Sequence, residues 1–308
     1  MTIEELNEAV ATGEIDEVIR VCEARQVKAL SALADRICAQ KGVRVILLCG
    51  GSSAGKTTTA KRLCTQLRVN GAKALHMSTD DYFVGDARNP RHPDGTFDYE
   101  TIEAVDSARL AQDLKALIAG ESVHLRRFDF VKHDGFDSEA ATSITADTYI
   151  VLEGIHALNP LLTQDLPEEC KFRLFIEPKT QITVFALTKL SAQDGRLLRR
   201  LVRDNQFRKM SPLETFTLWP QVIDGEEKWI NPYRKFADAE FDSGLDYELA
   251  VLKPYAAGLV ELVRRRRPEE KKAYLFTELF EAIRPAHPNI VPGDSILRET
   301  IGGSQLEY

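Results

Sequence analysis

Apolar positions along this chain follow two rhythms, one helical and one strand-like. In the first 42 residues Ile3, Leu6 and Val10 recur at helical spacing, and Thr2 with Glu5 makes a capping-box pattern ahead of them. A second helix is predicted from Ile15 to Ala39, with Val18, Val21, Cys22, Leu30, Leu33, Ala34 and Ile37 facing inward. The rhythm then changes. Val43–Cys49 is a short β-branched run that ends in glycines, as a buried parallel strand does. Lys56–Leu67 reads as a helix, Lys73–Ser78 as a strand and Asp106–Ala119 as a helix stopped by Gly120. Thr148–Leu152 and Lys171–Ile176 read as further buried strands. Strands alternating with helices predict an α/β fold, its mostly parallel, doubly wound sheet covered on both faces. Residues 196–235 are charged and partly helical, Leu245–Leu252 is a candidate returning strand, residues 255–284 read as helices, and the tail from Pro285 is rich in Pro and Gly.

Composition narrows the class. With 308 residues, 44% hydrophobic and 28% charged, the chain is long enough for a large core and is not broadly disordered. Forty Lys+Arg against 47 Asp+Glu leave a net charge of -7, which argues against a surface devoted to nucleic acid. Cys22, Cys38, Cys49, Cys64 and Cys170 are scattered without a CxxC pair, as expected of reduced thiols. The acidic start MTIEELNEAV lacks a signal peptide's basic and apolar regions, and no apolar run approaches the ~20 residues of a membrane span. The expectation is a soluble cytoplasmic protein with no membrane partner.

The strongest chemical signal is Gly50-Gly51-Ser52-Ser53-Ala54-Gly55-Lys56-Thr57, followed by Thr58. It matches G-x-x-x-x-G-K-[ST] between a predicted strand and a predicted helix, the context that makes a phosphate-binding loop. Glycines let successive N–H groups converge on phosphate oxygens, and the helix N-terminus adds its positive field. Lys56 would reach the β- and γ-phosphates and the Thr57 hydroxyl would ligate Mg²⁺. GTPase switches, motor ATPases and small-molecule kinases share such a loop, so other residues must decide.

The second strand runs into Ser78-Thr79-Asp80-Asp81-Tyr82-Phe83, on the sheet edge where ligands bind in open α/β folds. A carboxylate there can accept a proton from an attacking hydroxyl, with Asp80 the first choice and Asp81 the second. Glu153 ends another buried strand, where an acid can hold Mg²⁺. Arg196, Arg199, Arg200, Arg203, Arg208 and Lys209 crowd one stretch, and on a helix Arg196, Arg200 and Arg203 share a face. Such a face can close over a triphosphate and neutralise the migrating phosphoryl group. The run Arg264–Arg267 reads as a solvated helix end.

In order and spacing, GGSSAGKTT, STDDYF, TFDYETIEAVD, RFDFVKH, VLEGIHAL and RLLRRLVRDNQFRK resemble the uridine kinase and phosphoribulokinase family of P-loop kinases, over about Val43 to Leu252. The resemblance implies ATP and Mg²⁺ as cofactors, Asp80 as general base, Glu153 as the magnesium acid, and Arg200, Arg203 and Arg208 as lid arginines. It places Asp98 on sugar hydroxyls and Phe128, Phe130 and His133 around a base, with Asp80, Tyr82, Phe97 and Arg200 among the acceptor contacts. Together with the pattern of the flanking segments, the expected organisation is a helical extension at 1–42, a kinase domain at 43–254 with its lid at about 194–235, and C-terminal helices and tail at 255–308.

The chain departs from that pattern. Phe128 stands where uridine kinases carry Tyr, and Thr217-Leu218-Trp219-Pro220 where they carry a Gln. It is similar to the divergent uridine kinase-like nucleoside kinases, whose tail Ser295–Ser304 also resembles, although residues 1–42 are too short for the TGS domain many of them carry. The expected activity is phosphoryl transfer to a hydroxyl of a ribonucleoside such as uridine or cytidine, in a monomer or a homo-oligomer. The alternatives are the same chemistry on a sugar, sugar phosphate, polyol or pantothenate-like alcohol, or a non-catalytic nucleotide-binding regulator.

Overall fold

The computed structural model describes residues 1–129, 132–179, 183–185 and 188–307. Helix α1 (Ile3–Thr12) starts at the expected capping box, in which Thr2 and Glu5 satisfy each other's backbone N–H groups. Helix α2 (Ile15–Ala39) follows after a left-handed Gly13. Leu30, Ala34 and Ile37 of α2 are buried, but Val21 faces solvent with 49% of its surface exposed, contrary to its expected inward position. Strand β1 (Val45–Cys49), helix α3 (Lys56–Val69), strand β2 (Lys73–Ser78) and helix α4 (Ser107–Ile118) come next. A hairpin, β3 (Arg126–Asp129) with β4 (Asp134–Asp137), precedes the buried β5 (Thr148–Glu153) and β6 (Lys171–Glu177). The short β7 (Thr183–Phe185) and β8 (Thr188–Lys189) form an antiparallel pair.

The main sheet has the order β2-β5-β1-β6-β9, with β9 at Ala239–Asp242, and every pairing in it is parallel. Its central strands β5, β1 and β6 are buried on both faces and alternate between two cores, while the edge strands β2 and β9 are partly exposed. Val45, Leu47, Cys49, Ile150 and Leu152 pack toward α4 through Leu110, Leu114 and Leu117. Ile46, Leu48, Val151, Phe172 and Leu174 pack the other way, on Leu30 and Ile37 of α2 and on Leu63 and Leu67 of α3. The chain is thus α/β and mostly parallel, with helices flanking both faces.

The charged stretch forms α5 (Ala192–Phe207), α6 (Pro212–Trp229) and the single turn α7 (Asn231–Arg234). Leu245–Leu252 is not a strand: α8 (Glu248–Arg266) begins within it, and the returning strand is β9 instead. A run such as Leu249–Leu252, buried all round, has no period to separate helix from strand. Helix α8 also runs unbroken across the 254/255 boundary. It packs with α9 (Lys271–Ala282), α5 and α6, and with Leu6, Ile15 and Ile19 of the first two helices, in a third core. The tail ends in a short α10 (Arg298–Ile301), also packed into that core through Leu297 and Ile301.

Candidate active site

The glycine-rich loop leaves β1 and turns into α3 at Gly55, whose φ of 87° is left-handed. Lys56 Nζ donates to the Gly51 carbonyl at 3.0 Å, and the Thr57 hydroxyl donates to Glu153 Oε1 at 3.1 Å. Gly51 is required by close approach. A Cβ there would sit 1.9 Å from Arg196 Nη1 and 2.3 Å from Glu226 Oε1, so the lid ion pair rests directly on the loop.

Strand β2 pairs with β5 so that Ser78 lies opposite Glu153. Just past Ser78 the chain makes a tight turn, Thr79–Tyr82, whose Asp80 N–H donates to the Ser78 hydroxyl at 3.2 Å. This sets Asp80 beside Glu153 and Thr57 in the wall of one cavity of about 790 Å³, with Arg203 and Arg208 of the lid on the same wall. Glu153 is only 4% exposed; burial first, and the Asp80 charge second, push its carboxyl up to about 7. His76, also on the wall, is pushed down to about 4 by burial and by the charges of Lys61 and Arg127, so it is neutral at pH 7. Asp81 is raised by burial and bound by Arg127 at 2.8 Å.

The lid arginines divide by partner. Arg196 grips Glu226 with both terminal nitrogens and donates to the Ser52 carbonyl at 3.1 Å. Arg199 is 1% exposed and bound to Glu248 and the Ser243 carbonyl, an internal strut. Arg200 donates to the Ser52 hydroxyl at 2.9 Å and pairs with Asp204 at 3.1 Å. Arg203 donates twice to Asp204 Oδ1, and Arg208 lies 3.7 Å from the same oxygen. A fully buried Asp204 therefore gathers Arg200, Arg203 and Arg208. That acid stands in plain view inside the arginine run, yet its role shows only once the run is folded.

Of the residues assigned to acceptor contacts, Phe128 lines the cavity, edge-on to Phe83 at 5.6 Å between centroids. Phe97, Asp98 and His133 do not. Phe97 stacks under Arg91 at 3.8 Å, Asp98 caps the Glu100 N–H and lies 3.8 Å from His92, and His133 lies 3.5 Å from Asp86. Tyr82 is a core residue, 1% exposed, whose hydroxyl donates to Asp113 at 2.9 Å. Arg200 is turned to the phosphate loop rather than to the cavity. Phe130 lies outside the described residues.

Glu100, which sequence reasoning left unassigned, is pushed up to about 7 by burial, partly offset by the charges of Arg200 and Lys56. Its segment carried the signal, TFDYETIEAVD, but nothing in the spacing turned that residue toward the loop. Lys61 and His76, which the sequence reading left unassigned, also line the cavity, and His76 lies 4.0 Å from Glu153.

The model of the phosphoribulokinase / uridine kinase family matches residues 45–250, two thirds of the chain, from β1 to the first residues of α8, and leaves out α1, α2 and the C-terminal part. The chain belongs to that family. It is similar to a uridine kinase of Deinococcus deserti, 26% identical over 201 residues that cover 65% of this chain and 87% of the relative. It is also similar to a uridine kinase of Staphylococcus aureus, 25% identical over 218 residues, 68% of this chain and 93% of the relative. A solved structure of "a possible uridine kinase" from Bacillus stearothermophilus aligns at a TM-score of 0.44 and 21% identity, over 71% of this chain and 100% of that one. The protein is a kinase, a phosphotransferase with an alcohol acceptor, and its family implies ATP as donor. Among the described residues no helix is long and apolar enough to cross a membrane.

Proposed function

We propose that this kinase transfers the γ-phosphoryl group of ATP to a hydroxyl of a ribonucleoside, with Asp80 as general base. The observation that carries the reading is the shared cavity wall of Asp80, Thr57, Glu153, Arg203 and Arg208. The acceptor O–H proton passes to Asp80 as the oxygen forms its bond to phosphorus. The bond from phosphorus to the β-phosphate oxygen breaks, leaving ADP and a phosphate monoester. Lys56 and the N–H groups of Gly50 to Thr58 hold the triphosphate, and Arg203 and Arg208 balance charge on the migrating group.

The residues fit Mg²⁺. Thr57 and Glu153 offer a hydroxyl and a carboxylate already 3.1 Å apart, an all-oxygen set with the open space a phosphate-bound Mg²⁺ needs. Mg²⁺ would supply charge neutralisation at the triphosphate when bound. Residues 1–42 and 255–308 are read as additions around a 43–254 kinase domain.

A coupled ADP-release assay across nucleosides tests this, with wild type and Asp80→Asn. Turnover that needs no nucleoside, or is equal in the variant, removes the reading. A second reading keeps the chemistry and changes the acceptor to another polar alcohol. It is favoured by Asp98 and His133, which are engaged away from the cavity that holds Asp80. A panel of sugars, sugar phosphates and polyols in the same assay separates the two.

A further inference from the structure

The cavity beside Asp80 is closed on one side by residues that lie far beyond the family match. Arg298, Glu299, Gly302, Gly303, Ser304 and Leu306 line it together with Asp80 and Thr57. This part of the tail is built, not draped. Arg298 donates to the carbonyls of Pro288, Val291 and Gly302, which ties the loop before α10 to the turn after it. Gln305 N–H donates to the Gly293 carbonyl at 2.8 Å. Ser295, Ile296, Leu297 and Thr300 are buried.

The same segment touches the phosphate loop. Thr58, next to Thr57, donates to Glu299 Oε2 at 3.2 Å. Ile296 lies so close to the left-handed Gly55 that a Cβ there would be 2.5 Å from Ile296 Cγ2. The tail also meets the end of the lid helix, where Phe207 is in van der Waals reach of Gly302.

We propose that Gly302–Leu306 is the specificity-determining wall of the acceptor subsite and a barrier that keeps water from the γ-phosphate. The inference rests on the assignment of this cavity as the transfer site. Physically, a wall that faces the base and the lid arginines decides how long an acceptor fits. Without it the γ-phosphate meets solvent, and transfer competes with hydrolysis. The wall offers a serine and a leucine with two side-chain-free positions before them, and Phe128 and Phe207 add apolar surface to the same cavity. That lining suits a compact alcohol with both a polar and an apolar part.

The test compares the full chain, a chain ending at Ile301, Ser304→Trp and Asp80→Asn. Each is assayed for acceptor KM over a panel of alcohols, ATP KM, and ATP hydrolysis without acceptor. Truncation is expected to raise acceptor KM about tenfold, with ATP KM within about twofold, and to raise the ratio of hydrolysis to transfer. Ser304→Trp is expected to slow transfer to the larger acceptors of the panel more than to the smaller ones. If truncation unfolds the chain in a thermal melt, the size dependence in Ser304→Trp decides alone. Folded variants with unchanged acceptor KM, size preference and hydrolysis ratio, beside an inactive Asp80→Asn, overturn the role of the tail. An active Asp80→Asn overturns the assignment of the cavity instead.

Discussion

Thr57 donates its hydroxyl proton to Glu153 across the gap between the start of α3 and the end of β5, at 3.1 Å. The bond joins a loop that recognises phosphate to an acid held nearly out of water. Glu153 keeps its charge poorly there, because burial and the neighbouring Asp80 both raise its carboxyl, to about 7.

That shift makes a pH prediction. The unfolded carboxyl releases its proton near 4.5, the folded one near 7. Between those values the folded state holds a proton that the unfolded state lacks, so stability falls as pH rises through the folded value. Glu100 acts in the same direction. His76 and His156, both pushed down to about 4 by burial, act in the opposite sense up to their unfolded value of 6.5, so the acid's own contribution is read from the variant: Glu153→Gln is expected to gain stability relative to wild type as pH rises from about 5 to about 7. Calorimetry of both proteins across pH checks this; a difference between them that does not grow with pH contradicts the raised carboxyl of Glu153.

Asp80→Asn is expected to lower acceptor-dependent turnover by about two to four orders of magnitude and to leave ATP affinity near wild type. Asparagine keeps the shape and loses the basicity. Steady-state ADP release and nucleotide titration, run in parallel, measure the two quantities separately.

The arginines of α5 are expected to fail in different ways. Arg199 is sealed against Glu248, so Arg199→Ala strands a buried carboxylate and costs about 3–5 kcal/mol in denaturant unfolding. Arg208 keeps 57% of its side chain exposed, so Arg208→Ala leaves stability within about 1 kcal/mol and lowers kcat instead. Equal losses of stability in the two variants contradict this division.

Gly51→Ala drives a methyl group into Arg196 and Glu226. The ion pair must move off the loop, at a cost of about 1–3 kcal/mol, and ATP affinity is expected to fall with it. Gly258→Ala, in helix α8, where nothing stands within 4 Å of the added methyl and φ is not left-handed, is the control for a methyl group that meets no neighbour.

What the sequence made legible was whatever is local. Strand β2 begins and ends at the expected Lys73 and Ser78, and the phosphate loop stands in the expected place between β1 and α3. The capping box at Thr2 is real for the same reason: its partners are three residues apart. What was not legible depends on distance along the chain. The tail reaches Thr58 from 241 residues away, and Leu249–Leu252 became helical because neighbours cover every side of it. Asp98 and His133 follow a motif order that suggested a shared pocket, but His92 beside Asp98 and Asp86 beside His133 engage them elsewhere.

The pairing of Ser78 with Glu153 in adjacent parallel strands carries a last implication. The spacing between Asp80 and Glu153 is set by that strand register together with the one tight turn that follows Ser78. Insertions in the β3–β4 hairpin or changes of tail length can therefore reshape what enters the chamber while the chemistry at its floor keeps its measure.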